Sequence, residues 1–206
     1  MTKTKIAVLV SGGGTNLQAL LDAQAAGELR SGEIAVVISS REDAYALERA
    51  KKAGVPAFAV SRKGLGSQEK FEEAIEAFLG VYGAELIILA GFLSILSPEF
   101  TARWPRRILN VHPALIPSFC GKGYYGLKVH EAALERGVKL TGATVHFVNE
   151  IPDGGEILLQ KAVEVEPGDT PEILQRRVME QAEWILLPRA AEMVSDEIAM
   201  EKERQQ

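Results

Sequence analysis

The sequence predicts an α/β fold of three layers, a mostly parallel sheet with helices on both faces. Three observations lead there. Short runs rich in Val, Ile and Leu alternate through the first half of the chain with longer stretches of helical periodicity, the pattern of strand–helix–strand units joined by right-handed crossovers. The run at residues 85–90 is apolar almost throughout, as a central strand covered on both faces must be. The first run passes directly into Ser11-Gly12-Gly13-Gly14-Thr15-Asn16 and then into a helix.

Residues 5–10 form the first strand, and Leu17, Leu20 and Leu21 share one face of the helix after the glycine loop. Residues 34–38 are a second strand. Residues 43–53 are a helix with Ala46, Leu47 and Ala50 inward and Gly54 as the residue that ends it. A short strand follows at 56–60, then a loop at 61–67, where Arg62 and Lys63 either meet an anionic ligand tail or face solvent. The helix at 68–82 sets Phe71, Ile75, Phe78 and Leu79 in one stripe. Strand 85–90 runs into Gly91-Phe92-Leu93-Ser94-Ile95-Leu96-Ser97-Pro98. So apolar a loop either packs internally or lines a pocket for a flat apolar ligand. Ser97-Pro98 restarts a helix that ends near Trp104-Pro105, and Ile108-Leu109 begin the strand ending in Asn110-Val111-His112-Pro113.

Residues 118–126 are glycine-rich and expected to be mobile in part, and residues 127–136 form a helix closed by Gly137. In the strand at 141–148, Ala143, Val145 and Phe147 alternate with Gly142, Thr144, His146 and Val148. Residues 149–155 break it with turn residues, and residues 157–165 return as an antiparallel edge strand because only a loop joins the two. Thr170-Pro171-Glu172 opens the last helix as cap, first-turn proline and first-turn acid. It is expected to run past Pro188 with a kink, and the tail at 201–206 to fray. The sum is a Rossmann-like sheet with an antiparallel C-terminal edge strand. No repeat or linker divides it, so residues 1–206 are expected to be a single domain.

Composition narrows the function. Of 206 residues, 47% are hydrophobic and 25% charged, with a net charge of -5. A pI of about 5.4 disfavours nucleic acid as a general partner and leaves small molecules. One Cys and three His offer neither a disulfide framework nor zinc-ligand spacing, so no metal is expected. With no signal peptide and no apolar run long enough to span a bilayer, no membrane partner is expected and a reducing cytoplasmic setting is.

Two stretches carry candidate chemistry. In Ser11–Asn16 the glycines let backbone N–H groups converge while the helix N-terminus adds partial positive charge, which suits a phosphate. The loop lacks the Lys of a Walker A motif and does not match G-x-G-x-x-G. A tight turn with a cap explains the same residues. In Asn110-Val111-His112, strand alternation puts the amide and the imidazole on one face at a strand end, where open α/β sheets hold ligands. With the carboxylate of Asp153 they make acyl-transfer machinery: an N–H for an oxyanion, an imidazolium, and a group to keep it charged. No nucleophilic Ser or Cys sits in an elbow, so a substrate amine would attack directly. The plainer alternative is that Asn110, His112 and Asp153 satisfy turns. His130, beside Glu131, is expected at the surface, and His146 as a buried, hydrogen-bonded structural residue rather than a catalytic one. Cys120 has no base partner and is assigned no chemistry.

Residues 5–16, 91–98, 110–117 and 144–148 with Asp153-Gly154-Gly155 resemble the phosphoribosylglycinamide formyltransferases, a branch of the folate-dependent formyltransferases, over nearly the whole chain. The wider family's signature is Asn-x-His with a downstream Asp, here Asn110, His112 and Asp153. The loop Ser11–Asn16 points to the glycinamide ribonucleotide branch. The resemblance implies that Gly13, Gly14, Thr15 and Asn16 hold the substrate phosphate and Glu183 the ribose. It also implies that Leu93, Ser94, Ile95 and Leu96, with Asn110, Asn149, Ile151 and Asp153, enclose the pterin of the co-substrate 10-formyltetrahydrofolate. The implied reaction is direct attack of the glycinamide amine on the formyl carbon, in de novo purine synthesis, by a monomer or weak homodimer. Two departures stand out: Ser94 and Gln68 occupy positions where the family often has Arg, and Cys120-Gly121-Lys122-Gly123-Tyr124 lengthen the segment after Pro117. That segment is either a lid, with Lys122 near phosphate, or a surface excursion. The rivals are transfer to another amine, hydrolysis of the formyl donor, and a non-catalytic nucleotide-binding module. The glycine loop, the acidic balance and the lack of an added C-terminal domain disfavour methionyl-tRNA as acceptor.

Overall fold

In the computed structural model, which describes residues 2–204, seven strands form one sheet. They are β1 (Thr4–Val10), β2 (Gly32–Ser39), β3 (Ala57–Ala59), β4 (Leu86–Leu89), β5 (Ile108–His112), β6 (Leu140–Phe147) and β7 (Ile157–Glu164). Their order is β3-β2-β1-β4-β5-β6-β7. The first five run parallel, β6 pairs antiparallel with β5, and β7 pairs antiparallel with β6. The edge strand β7 is as expected; the reversal of β6 adds a second antiparallel pairing. The helices are α1 (Thr15–Ala25), α2 (Tyr45–Lys52), α3 (Arg62–Leu65), α4 (Gln68–Val81), α5 (Pro98–Arg103), α6 (Leu127–Arg136), α7 (Pro171–Val178) and α8 (Trp184–Arg204).

Alternation along the strands splits the core into two layers. In β1, Ile6, Val8 and Val10 join one cluster with Leu17 and Leu20 of α1 and Leu187, Ala191 and Val194 of α8. Ala7 and Leu9 join the other, with Phe71, Ile75 and Leu79 of α4 and Phe100 of α5. Each buried Leu, Ile or Phe contributes about 1.5–3 kcal/mol, so both faces must be covered for the sheet to hold. Local signals end the helices where the sequence places them. Ser97 and Thr170 accept the N–H of Phe100 and Ile173, each followed by a first-turn proline, and Gly54 and Gly137 turn at φ 73° and 72°.

Several expectations change. The loop at 61–67 contains the one-turn α3, capped by Ser61. The last helix is interrupted at Met179–Glu183 by a π-helical turn, ahead of Pro188, which lies inside α8. The tail remains helical through Arg204, while residues 205–206 lie outside the described residues. His130 is fully buried rather than at the surface. At 100° per residue its neighbour Glu131 points elsewhere, and His130 shares its face with Ala133. Among the described residues no helix is long and apolar enough to cross a membrane.

Candidate active site

The strand ends of β1, β4 and β5 lie side by side, since Leu9 is level with Leu89 and Leu89 with Asn110. The glycine loop, the apolar loop and the Asn-x-His strand therefore open at one edge of the sheet. At strand spacings of 4.7–4.9 Å, the first and last are roughly 10 Å apart. Antiparallel register brings in β6, with His146 opposite Asn110 and Thr144 opposite His112. Thr144 also holds the turn after β5: its hydroxyl donates to Ala114 O (2.7 Å) and accepts from Ile116 N (3.1 Å).

Asn110, His112, His146 and Asp153 meet at this point. Asp153 Oδ2 lies 3.6 Å from His112 Nδ1, and Oδ1 lies 3.6 Å from His146 Nε2. Asn110 Nδ2 is 3.1 Å from His146 Nε2 and 3.5 Å from Asp153 Oδ1. A carbonyl only accepts, so His146 Nδ1–H donates to Phe147 O (2.8 Å) and the neutral ring presents an Nε2 lone pair to the Asn110 amide. A second proton would turn that nitrogen into a donor toward Asp153. His146 is buried and hydrogen-bonded as expected, but its partners belong to this cluster. Register named it, and no local motif did.

The segment after Pro117 closes over the cluster. His112 Nε2 donates to Phe119 O at 2.8 Å, and Gly121 N donates to Asp153 Oδ2 at 2.8 Å. Phe119 (φ 50°) and Asp153 (φ 55°) adopt a backbone conformation that non-glycine residues rarely take. Such strain concentrates at functional sites. Burial pushes the Asp153 carboxyl up, but the His146 ring, which donates to it once protonated, the Gly121 N–H and the charges of the protonated histidines outweigh it, holding the group below its ordinary 3.8. Burial and Asp153 raise the Cys120 thiol, which donates to Pro117 O. A thiol so placed is a poor nucleophile.

In the glycine loop, Gly14 precedes α1 at φ 72°, and a Cβ there would meet Ala46 Cβ at 2.7 Å. Gly12 and Gly13 have open space at the Cβ position. Thr15 Oγ1 reaches Met179 Sδ at 3.7 Å. Asn16 points inward: Nδ2 donates to Glu183 Oε2 at 2.7 Å, and Oδ1 is buried without a partner among the described residues. Burial pushes the Glu183 carboxyl up from 4.5 to about 7, against the Asn16 hydrogen bond. In the apolar loop, Leu96 is buried while Leu93 and Ile95 face out, so it both packs and presents an apolar surface. Leu93 N donates to Ser11 Oγ (2.8 Å), tying this loop to the glycine loop. Asn149 Oδ1 accepts from Ile151 N, leaving the Ile151 side chain exposed. A groove of about 860 Å³ between α1 and α8 touches this region only at Thr15, Gln18 and Arg49 and holds none of the Asn110–Asp153 cluster. Among the described residues no three His, Cys, Asp or Glu are placed to hold a metal ion.

Comparison with known proteins places the chain in a family. Residues 4–190 match the formyl transferase family. The chain is 45% identical over 177 residues to the phosphoribosylglycinamide formyltransferase of Haemophilus influenzae, covering 86% of this chain and 81% of that protein. It is 43% identical over 193 residues to the trifunctional purine biosynthetic protein adenosine-3 of Gallus gallus, of whose length it spans 18%. The crystal structure of glycinamide ribonucleotide transformylase 1 from Symbiobacterium toebii superposes with a TM-score of 0.87 at 43% identity, covering 94% of this chain and 88% of that one. With the same sheet and a sequence match along nearly its full length, the chain belongs to the formyl transferase family.

Proposed function

We propose that the chain transfers the formyl group of 10-formyltetrahydrofolate to the amine of glycinamide ribonucleotide, a step of de novo purine synthesis, with residues 1–206 acting as one formyltransferase domain. Its partners are then small molecules, its setting the cytoplasm, and its state a monomer or weak homodimer. The observation that carries the reading is the meeting of Asn110, His112 and Asp153 at the mouth that also holds the glycine loop. The names of the relatives point the same way.

In this reading Gly13, Gly14, Thr15 and Asn16 receive the phosphate at the start of α1, with Glu183 by the ribose, and the roughly 10 Å to β5 suits an extended phosphoribosyl amide. Leu93, Ser94, Ile95, Leu96, Asn149 and Ile151 take the pterin. The amine forms a bond to the formyl carbon while the carbonyl electron pair moves onto oxygen. An Asn110 N–H and protonated His112 stabilise that oxygen, with Asp153 as the counter-charge. Collapse breaks the bond to N10, which leaves with the proton the amine gives up. His112 Nε2 is held by Phe119 O, so the ring either lets that carbonyl go, with a shift of the segment after Pro117, or acts from Nδ1.

Loss of 10-formyltetrahydrofolate, followed with and without glycinamide ribonucleotide, tests this. Turnover is expected only with both substrates, and Asn110→Ala or His112→Ala should lower kcat about 100- to 1,000-fold without unfolding. Loss of the donor without the amine would indicate hydrolysis instead. Near-normal turnover by either variant would remove the assigned roles.

A further inference from the structure

We propose that Glu72 is the positioning residue of the apolar loop 91–97, holding it in the shape that receives the flat ring of the formyl donor. This rests on the folate reading above. Glu72 lies on α4 and is 5% exposed. Among the described residues its hydrogen-bond partners are all neutral. Oε1 accepts from Ser97 N (2.6 Å) and Gln68 Nε2 (2.5 Å), and Oε2 accepts from Ser97 Oγ (2.6 Å). Gln68 Nε2 also donates to Ile95 O (3.0 Å). The carboxylate thus grips the loop at Ser97 directly and at Ile95 through Gln68.

A buried carboxylate without a cation is costly, and an apolar side chain would fill the same space more cheaply. What the acid supplies is several acceptor sites for converging donors, which an apolar side chain lacks and an amide supplies only in part. Glu72 and Gln68 hold the loop at Ser97 and Ile95, and Ser11 Oγ holds it at Leu93. Leu93 and Ile95 stay 62% and 67% exposed while Leu96 is sunk to 7%. Free to relax, an apolar loop would turn such side chains inward. Held as it is, the loop offers them as a preformed apolar wall beside the end of β5, so the donor binds without first ordering it. Gln68, at one of the two positions where the family often has Arg, is engaged with the loop.

The test compares wild type with Glu72→Gln, Glu72→Asp and Gln68→Ala by steady-state kinetics and by amide hydrogen exchange of the unliganded protein. Glu72→Gln exchanges an acceptor for a donor facing donors, and KM for 10-formyltetrahydrofolate should rise about tenfold. Its kcat and its KM for glycinamide ribonucleotide should stay within about twofold. Exchange at residues 92–97 should quicken while β1 is unchanged, and Glu72→Asp should recover part of both effects. A merely structural acid would lower Tm and move all the kinetic constants together or none of them, and that result overturns the proposal. So does an unchanged donor KM in a folded variant. If the Glu72 variants do not fold, Gln68→Ala decides: a raised donor KM supports the clamp and an unchanged one removes it. If wild type itself does not consume 10-formyltetrahydrofolate, the folate reading fails on its own, and exchange at Ser97 still decides whether Glu72 holds the loop.

Discussion

Replacing Glu183 by Gln should make the protein less sensitive to pH between 4.5 and 8. The carboxyl is buried beneath the glycine loop, and its only hydrogen-bond partner among the described residues is Asn16 Nδ2 at 2.7 Å. Burial raises it from 4.5 to about 7. Because the folded value lies above the unfolded one, the native state holds the proton more tightly. The stability gained from that proton is full below pH 4.5 and is lost as pH rises through about 7. At about 1.4 kcal/mol per pH unit, the gap between 4.5 and 7 comes to about 3 kcal/mol. The amide of the Glu183→Gln variant keeps an oxygen for Asn16 and has no proton to lose. Urea denaturation of both proteins at pH 4.5, 6, 7 and 8 should therefore show wild type falling by about 3 kcal/mol relative to Glu183→Gln, or roughly 6–12 °C in Tm. Any constant offset from the new amide cancels in this difference. A gap that stays flat across the range would mean that the carboxyl titrates normally and that the burial argument is wrong. If Glu183 also meets the ribose, the variant's KM for glycinamide ribonucleotide should rise, so the residue costs stability at the pH where it binds substrate.

Other perturbations test the rest of the site. Asp153→Asn should keep an acceptor for Gly121 N–H but remove the counter-charge of His112, lowering kcat by about 100-fold as read from the loss of 10-formyltetrahydrofolate. Asp153 titrates below 3.8 when folded, so its contribution is present above that pH and disappears as pH falls through the lower folded value. The instability of Asp153→Asn relative to wild type should therefore be seen at pH 7 and vanish in acid. Gly14→Ala should destabilise by about 1–3 kcal/mol in denaturation, because φ 72° and a 2.7 Å contact with Ala46 leave no room for a Cβ. Gly13→Ala, with nothing within 4 Å, should fold normally and raise KM for the phosphate-bearing substrate.

Much of this fold is legible residue by residue. Ser97-Pro98 and Thr170-Pro171 start helices, Gly54 and Gly137 end them, and Phe71, Ile75 and Leu79 repeat at the helical period. All of these are interactions within a few positions of one another. His130 shows where such reading slips, since its polarity and acidic neighbour suggest solvent while its place on the helix turns it into the core.

From the chain alone came the seven strands and most of the helices, the shared face of Asn110 and His112, the glycine loop before α1 and the apolar loop after β4. Periods of 2 and 3.6 residues and local turn chemistry suffice for these. The folded structure alone decided that β6 runs antiparallel to β5 and so sets His146 against Asn110. It also decided that Phe119 O and Gly121 N cap His112 and Asp153, and that Glu72 reaches Ser97. Those contacts join residues far apart in sequence through strand register and the packing of whole elements, which no local period encodes.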